Sequence, residues 1–314
     1  MADTAAVRVE DLVKRYRKAK ENAVDGISFT VEAGEFFALL GPNGAGKTTT
    51  ISILTTTLTP TSGRAFIGGR DIVAEASAVR REVGIIFQRP SLDLNLTAEE
   101  NVRLHAVLYG LYPYAPIYRL MPHAYREQVA GLAALLGLER EMFMPVRTFS
   151  GGMRRKLEIV RSLLHRPRVL FLDEPTAGLD APTRRTLWDH LATVRRESGT
   201  TIFLTTHYLE EAEQADQICV IDHGHVVAGG SPAALKAELT RQYVDVDTDD
   251  RARLRTELGR LGLAWTGDGP FRLSLDGRVM HATLKSIETP LSVIRTHTPS
   301  LEDAYLEIVS RGDE

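Results

Sequence analysis

The chain has one cysteine in 314 residues, so no disulfide framework is available to it. Cys219 sits inside the apolar run Ile218–Ile221 and reads as a buried thiol, which suits a reducing compartment. Long apolar runs are also missing. A membrane helix needs about 18 apolar residues, and the longest candidate, Val129 to Leu138, reads instead as a packed helix. If the protein acts at a membrane, another chain must do the spanning. The opening MADTAAVRVEDLVKRY has no apolar core of the kind a secretory signal carries. There is no excess of positive charge either. Lys and Arg number 38 against 41 Asp and Glu, for a net charge of −3 and a pI near 6.3. That balance argues against broad nucleic-acid binding, which needs a basic footprint. Internal repeats and low-complexity tracts are absent from the sequence.

What is present is ordinary for a globular protein, 43% apolar and 25% charged. The length suggests about two domains. Short apolar runs at Phe36–Leu40, Val83–Phe87, Val169–Leu172, Thr201–Leu204 and Ile218–Ile221 read as buried strands of a parallel sheet covered on both faces. Helical patterns lie between most of them, which gives an α/β class. Val7–Val13 and Ile27–Val31 alternate instead, as in a half-exposed antiparallel sheet. Residues 97–164 are mostly helical in pattern and long enough for a subdomain. Within them YGLYPYAPIYRLMP, Tyr109 to Pro122, carries prolines that break any regular helix. It reads as an irregular surface loop or as a docking surface for a partner.

Near Gly229–Pro232 this pattern ends. A helix over Ala233–Leu239 is followed by strands at Gln242–Val246, Phe271–Leu275 and Leu291–Thr296. Helices are expected at Asp249–Leu261, Met280–Ile287 and Ser300–Val309. The expected division is therefore a first domain over 1–239 and a small α+β appendix over 240–314.

The strongest chemical signal is Gly41-Pro42-Asn43-Gly44-Ala45-Gly46-Lys47-Thr48. It follows an expected strand and precedes a helical run starting at Thr49, which is the context a phosphate-binding loop needs. Glycines let successive N–H groups point inward, and the helix N-terminus adds positive charge at the same place. Lys47 can reach the β- and γ-phosphates of ATP, and Thr48 can ligate Mg²⁺. Next, Val169–Leu172 ends in Asp173 and Glu174. Adjacent strand residues point to opposite sides, so Asp173 is expected to face the metal and Glu174 the attacking water, whose proton it can accept. Ser150-Gly151-Gly152-Met153 opens another helix, with Ser150 as N-cap and two glycines baring N–H groups for an anion. Gln88 and His207 follow buried strands, at the sheet end where ligands of α/β proteins sit.

Tyr16, GPNGAGKT, Gln88, SGGMRR, LFLDEP, AGLD and His207, in this order, resemble the nucleotide-binding subunit of an ATP-binding cassette (ABC) transporter over Val7 to Leu239. The resemblance implies a P-loop NTPase fold with a parallel core sheet, an antiparallel N-terminal sheet and a helical subdomain. It implies that Tyr16 stacks on adenine and that Gly41 to Thr49 hold ATP. Ser150, Gly151 and Gly152 would contact the γ-phosphate held by a second copy in a head-to-tail dimer. Asp180 would lie at the joint between the copies and His207 would hold the γ-phosphate. Mg²⁺ would be met by Thr48, by Gln88, which links it to a membrane-spanning partner, and by Asp173 through water. Phe149 and Met153 depart from the usual signature, which has Leu and Gln there. Met153 and the segment Thr298 to Leu306 resemble the daunorubicin and multidrug export branch, whose partners are of the ABC-2 type. The implied function is ATP hydrolysis on the cytoplasmic side of the cell membrane, energising export of drugs, antibiotics or other hydrophobic compounds. Export of a lipid or polysaccharide, an importer ATPase and a soluble ABC ATPase are the alternatives.

Overall fold

A computed structural model describes residues 5–88, 91–239, 243–274, 280–297 and 300–305. The chain divides into two compact units, Met1–Ser231 and Pro232–Glu314. In chain order the first contains β1 (Ala5–Lys14), β2 (Val24–Glu32), β3 (Phe36–Leu40), α1 (Lys47–Leu54), β4 (Ser62–Ile67), β5 (Arg70–Asp71), α2 (Ala76–Glu82) and β6 (Val83–Ile86). Then come α3 (Ala98–Leu108), α4 (His123–Leu136), α5 (Gly151–Leu163), β7 (Val169–Asp173), α6 (Ala181–Ser198), β8 (Thr201–Thr206), α7 (Leu209–Ala212), β9 (Gln217–Asp222) and β10 (His225–Gly230).

Two sheets form this unit. The larger has the order β10-β9-β3-β8-β7-β6, with β9, β3, β8, β7 and β6 parallel and β10 antiparallel at one edge. Every residue of β3, β7 and β8 is buried, which is why their central residues read as apolar runs and not as alternation. The smaller sheet, β2-β1-β4-β5, is antiparallel. Its inward residues Val7, Val9, Leu12, Ile27 and Ile67 join Phe37, Leu39, Phe171 and Phe203 in one core.

The strand ends differ from expectation by a residue or two. β6 stops at Ile86, while β7 runs on to Asp173 and β8 to Thr206. Thr205 and Thr206 are polar yet wholly buried, because each hydroxyl finds a carboxylate. Helix starts follow local chemistry. Thr97 and Glu100 form a reciprocal capping box at α3, and Ser150 and Asp180 cap α5 and α6 through the N–H groups of Met153 and Thr183.

The stretch Tyr109–Pro122 is irregular apart from a 3-10 turn at Tyr118–Leu120. Its tyrosines do not all face outward. Tyr112 donates to Gln128 Oε1 at 2.8 Å and Tyr118 to Arg126 O at 3.3 Å. Both rings meet the buried Tyr125 edge-on. Tyr114, Ile117 and Leu120 are the most exposed large apolar side chains there, and Tyr109 is partly covered by the rings of His105 and His165.

The second unit begins with α8 (Pro232–Leu239), placed above in the first domain, and continues with β11 (Tyr243–Asp247), α9 (Arg251–Arg260) and β12 (Trp265–Thr266). It goes on to β13 (Phe271–Ser274), α10 (Met280–Lys285) and β14 (Val293–His297). Its antiparallel sheet has the order β12-β13-β11-β14. Val244, Val246, Phe271 and Leu273 from the strands pack on Leu254 and Leu258 of α9. Residues 301–305 are helical. Gln242, Leu275, Thr298, Pro299 and residues 306–309 of the expected elements lie outside the described residues.

Candidate active site

The loop after β3 can be built only with glycine at certain points. A Cβ on Gly41 would come within 2.1 Å of Ile221 O, and one on Gly46 within 2.3 Å of Ala23 O. Gly44 and Gly46 also hold positive φ, 87° and 106°, a region closed to most side chains. Gly46 is the N-cap of α1 and no side chain caps the helix, so its first N–H groups are left for an anion.

Lys47 is buried under this loop. Its Nζ donates to Gly41 O at 2.8 Å and Pro42 O at 2.9 Å, and lies 3.7 Å from Glu174 Oε1. Burial lowers its pKa, and the charges of Glu174 and Asp173 oppose that shift. Asp173, the last residue of β7, is also buried. Its Oδ1 accepts from Thr205 Oγ1 at 2.6 Å and Thr48 Oγ1 at 3.2 Å. Burial raises its pKa; the two hydroxyls and Lys47 pull the other way.

Glu174 corrects the expectation that strand alternation would send the two carboxylates to opposite sides. The strand ends at Asp173, and Glu174 has φ +45°. The turn sends both carboxylates toward the same lysine and loop. Glu174 Oε2 accepts from Gln88 Nε2 at 3.0 Å, and Oε1 pairs with His207 Nδ1 at 3.1 Å. A left-handed conformation in a non-glycine residue costs on the order of 1–3 kcal/mol and gathers at functional sites.

These groups open on one cleft of about 450 Å³. It is lined by Ala23, Asn43, Gly44, Gly46, Lys47, Thr48, Thr49, Gln88, Glu174, Ala177 and His207. Asp173 lies just beneath, through Thr48. Tyr16 stands beside it, half exposed, its hydroxyl 3.3 Å from Thr49 Oγ1. The cleft thus joins residues from Ala23 to His207, which spans most of the first unit.

Ser150, Gly151, Gly152 and Asp180 do not line it. The two helix starts they belong to meet elsewhere. A Cβ on Gly152 would strike Thr183 Cγ2 at 2.4 Å, and one on Gly151 would touch Leu179. The starts of α5 and α6 are therefore packed together, with Ser150 and Gly151 exposed.

Three features escaped the sequence reading. Arg155 donates to Phe87 O at 2.6 Å and Gln88 O at 3.0 Å, so α5 grips the chain that carries Gln88. Buried Glu158 pairs with Arg155 at 2.9 Å and accepts from Ser91 N. Their three-residue spacing on the buried face of α5 was the available signal. The third is the set of buried hydroxyls, Thr176, Thr205 and Thr206, beneath the site.

The donor set suits magnesium. Mg²⁺ takes hard oxygen ligands and typically one or two carboxylates, with water and substrate phosphates completing its shell. Thr48 and Asp173 supply a hydroxyl and a carboxylate 3.2 Å apart, and Gln88 lines the same cleft as Thr48.

Residues 24–177 match the family model described as ABC transporter. The Nod factor export ATP-binding protein I of Ralstonia nicotianae is 40% identical over 99% of this chain and 96% of its own length. The daunorubicin/doxorubicin resistance ATP-binding protein DrrA of Streptomyces peucetius is 42% identical over 82% of this chain and 74% of its own. Among solved structures, a dimeric ATP-binding cassette in a post-hydrolysis state with ADP and Pi superposes with a TM-score of 0.63. It is 27% identical and covers 72% of this chain and 98% of that one. Among the described residues no helix is long and apolar enough to cross a membrane. With the phosphate-loop cleft and these matches together, the chain belongs to the ABC transporter family, among its ATP-hydrolysing, ATP-binding proteins.

Proposed function

We propose that this chain is the ATPase subunit of an exporter, energising a separate membrane-spanning partner from the cytoplasmic side of the cell membrane. The observation that carries the site is the meeting of Lys47, Gln88, Glu174 and His207 in one cleft above an uncapped helix start. The bare N–H groups of the loop and Lys47 bind the phosphates. Tyr16 offers its ring to the base. Glu174 accepts a proton from the attacking water, and His207 holds the γ-phosphate. Phosphoryl transfer needs little covalent help, so placed charges supply most of the catalysis. Magnesium, when bound, neutralises charge shared by the β- and γ-phosphates, and Thr48, Gln88 and Asp173, the last through water, are the residues that would hold it.

Ser150, Gly151 and Gly152 lie outside this cleft and expose a helix start. On this reading they complete the ATP site of a second copy, with Asp180 at the joint in the head-to-tail pair. Export is supported by the relatives, named for Nod factor export and for daunorubicin/doxorubicin resistance. The cargo is selected by the membrane partner. Nucleic acid has no part in this reading. Phosphate release from Mg–ATP tests the assignment. The wild-type chain hydrolyses ATP, EDTA stops it, and Lys47→Ala both weakens ATP binding and abolishes turnover. Full binding and turnover in Lys47→Ala would place the site elsewhere.

A further inference from the structure

Glu211 lies on α7, four residues beyond His207. Its neighbour Glu210 has a side chain 89% exposed, whereas that of Glu211 is 1% exposed. A buried carboxylate is costly unless its oxygens are well engaged. Here Oε1 accepts from the hydroxyl of Thr176 and Oε2 from that of Thr206, the latter at 2.6 Å. Both threonines are wholly buried.

Those two hydroxyls belong to the two turns that carry the reacting groups. Thr176 is in the turn after β7, which begins at Glu174 and closes through Ala177 N–H to Glu174 O. Thr206 ends β8, and its oxygen also accepts the N–H of Tyr208 at 2.9 Å, across His207. One carboxylate therefore ties the Glu174 turn to the His207 turn. On the far side, Arg184 of α6 lies 4.0 Å from Glu211 and 5.0 Å from the Tyr208 ring centroid, and the Tyr208 ring packs on that of His207.

We infer that Glu211, through Thr176 and Thr206, is a positioning residue that sets the spacing of Glu174 and His207. The inference rests on the proposed roles of those two residues. Glu211 does not line the cleft, so its loss should act on turnover and not on nucleotide binding. A misplacement of about 1 Å in a catalytic group can cost on the order of 100-fold in rate. A turn that is loosened but still packed should lose less.

The test uses the full chain with Thr206→Val, Thr206→Ser, Glu211→Gln and the double variant Glu211→Gln/Thr206→Val. Valine keeps the shape of threonine and removes the hydroxyl; serine keeps the hydroxyl. We expect Thr206→Val and Glu211→Gln each to lower kcat roughly tenfold, with KM for ATP within about twofold of wild type. The double variant should be no slower than the worse single, because both break one link. Thr206→Ser should keep near-normal turnover. Should Glu211→Gln fail to fold, the Thr206→Val and Thr206→Ser pair still decides. Normal kcat in Thr206→Val, equal loss in Val and Ser, or rate losses that multiply in the double variant would overturn the inference. Glu174→Gln is assayed alongside. If it turns over normally, the site reading itself fails. If it is dead while the Thr206 and Glu211 variants are normal, only the role of Glu211 fails.

Discussion

Asp173 carries a stability cost that its chemistry explains. Burial raises its pKa above the ordinary 3.8, so the folded chain binds a proton more readily than the unfolded one. The penalty is fully present above the raised folded pKa and fades as pH falls through it toward the unfolded value. Asparagine at this place can still accept from Thr48 and Thr205. Asp173→Asn is therefore expected to raise Tm at pH 7 while losing Mg-dependent hydrolysis, with its stability advantage narrowing in acid. Thermal melts at several pH values check this; a lower Tm at pH 7 would contradict it. At this scale the sequence was informative about which residues meet and less so about how. The glycine spacing and Lys47 announced the loop. The orientation of Glu174 did not follow from strand alternation, because its φ of +45° is a backbone choice that no pattern of side chains encodes. The Thr176–Glu211–Thr206 link was hidden for a related reason. Threonine in a strand reads as filler until its carboxylate partner, distant or near in sequence, is known.

Among the elements, the buried strands of the larger sheet were legible because their central residues are apolar in succession. Strands β4, β5 and β12 were not, being partly polar or only two residues long. The Tyr/Pro stretch shows what composition alone conceals. Tyr112 and Tyr118 are anchored inward, their rings on Tyr125 and their hydroxyls on Gln128 and Arg126, so replacing them should loosen the helical region itself. The residues most open to a partner are Tyr114, Ile117 and Leu120. Exposed apolar side chains on a pre-ordered, proline-bearing segment suit docking, since little freedom remains to be lost. We predict that Tyr114→Ser, Ile117→Ser and Leu120→Ser together impair co-purification with the membrane subunit. Basal ATPase of the isolated chain should stay within about twofold, since the cleft is untouched. Intact assembly would make the segment a surface loop only.

For the whole molecule, the head-to-tail model turns on geometry within one chain. The cleft gathers the phosphate loop, Gln88, Glu174 and His207, while Ser150, Gly151 and Asp180 face elsewhere. Arg155 fastens the helix opened by Ser150 to the backbone at Gln88, so movement of one is felt by the other. Glu174→Gln with Mg–ATP is expected to double in mass by light scattering and to stay monomeric without nucleotide. A monomer in both conditions would remove the paired model for the isolated subunit. That this cleft hydrolyses ATP with Glu174 as the proton acceptor is tested by phosphate release from Glu174→Gln, with ATP binding measured on the same sample. The expected result is unchanged binding with turnover lower by on the order of 100-fold or more; hydrolysis at the wild-type rate would contradict it.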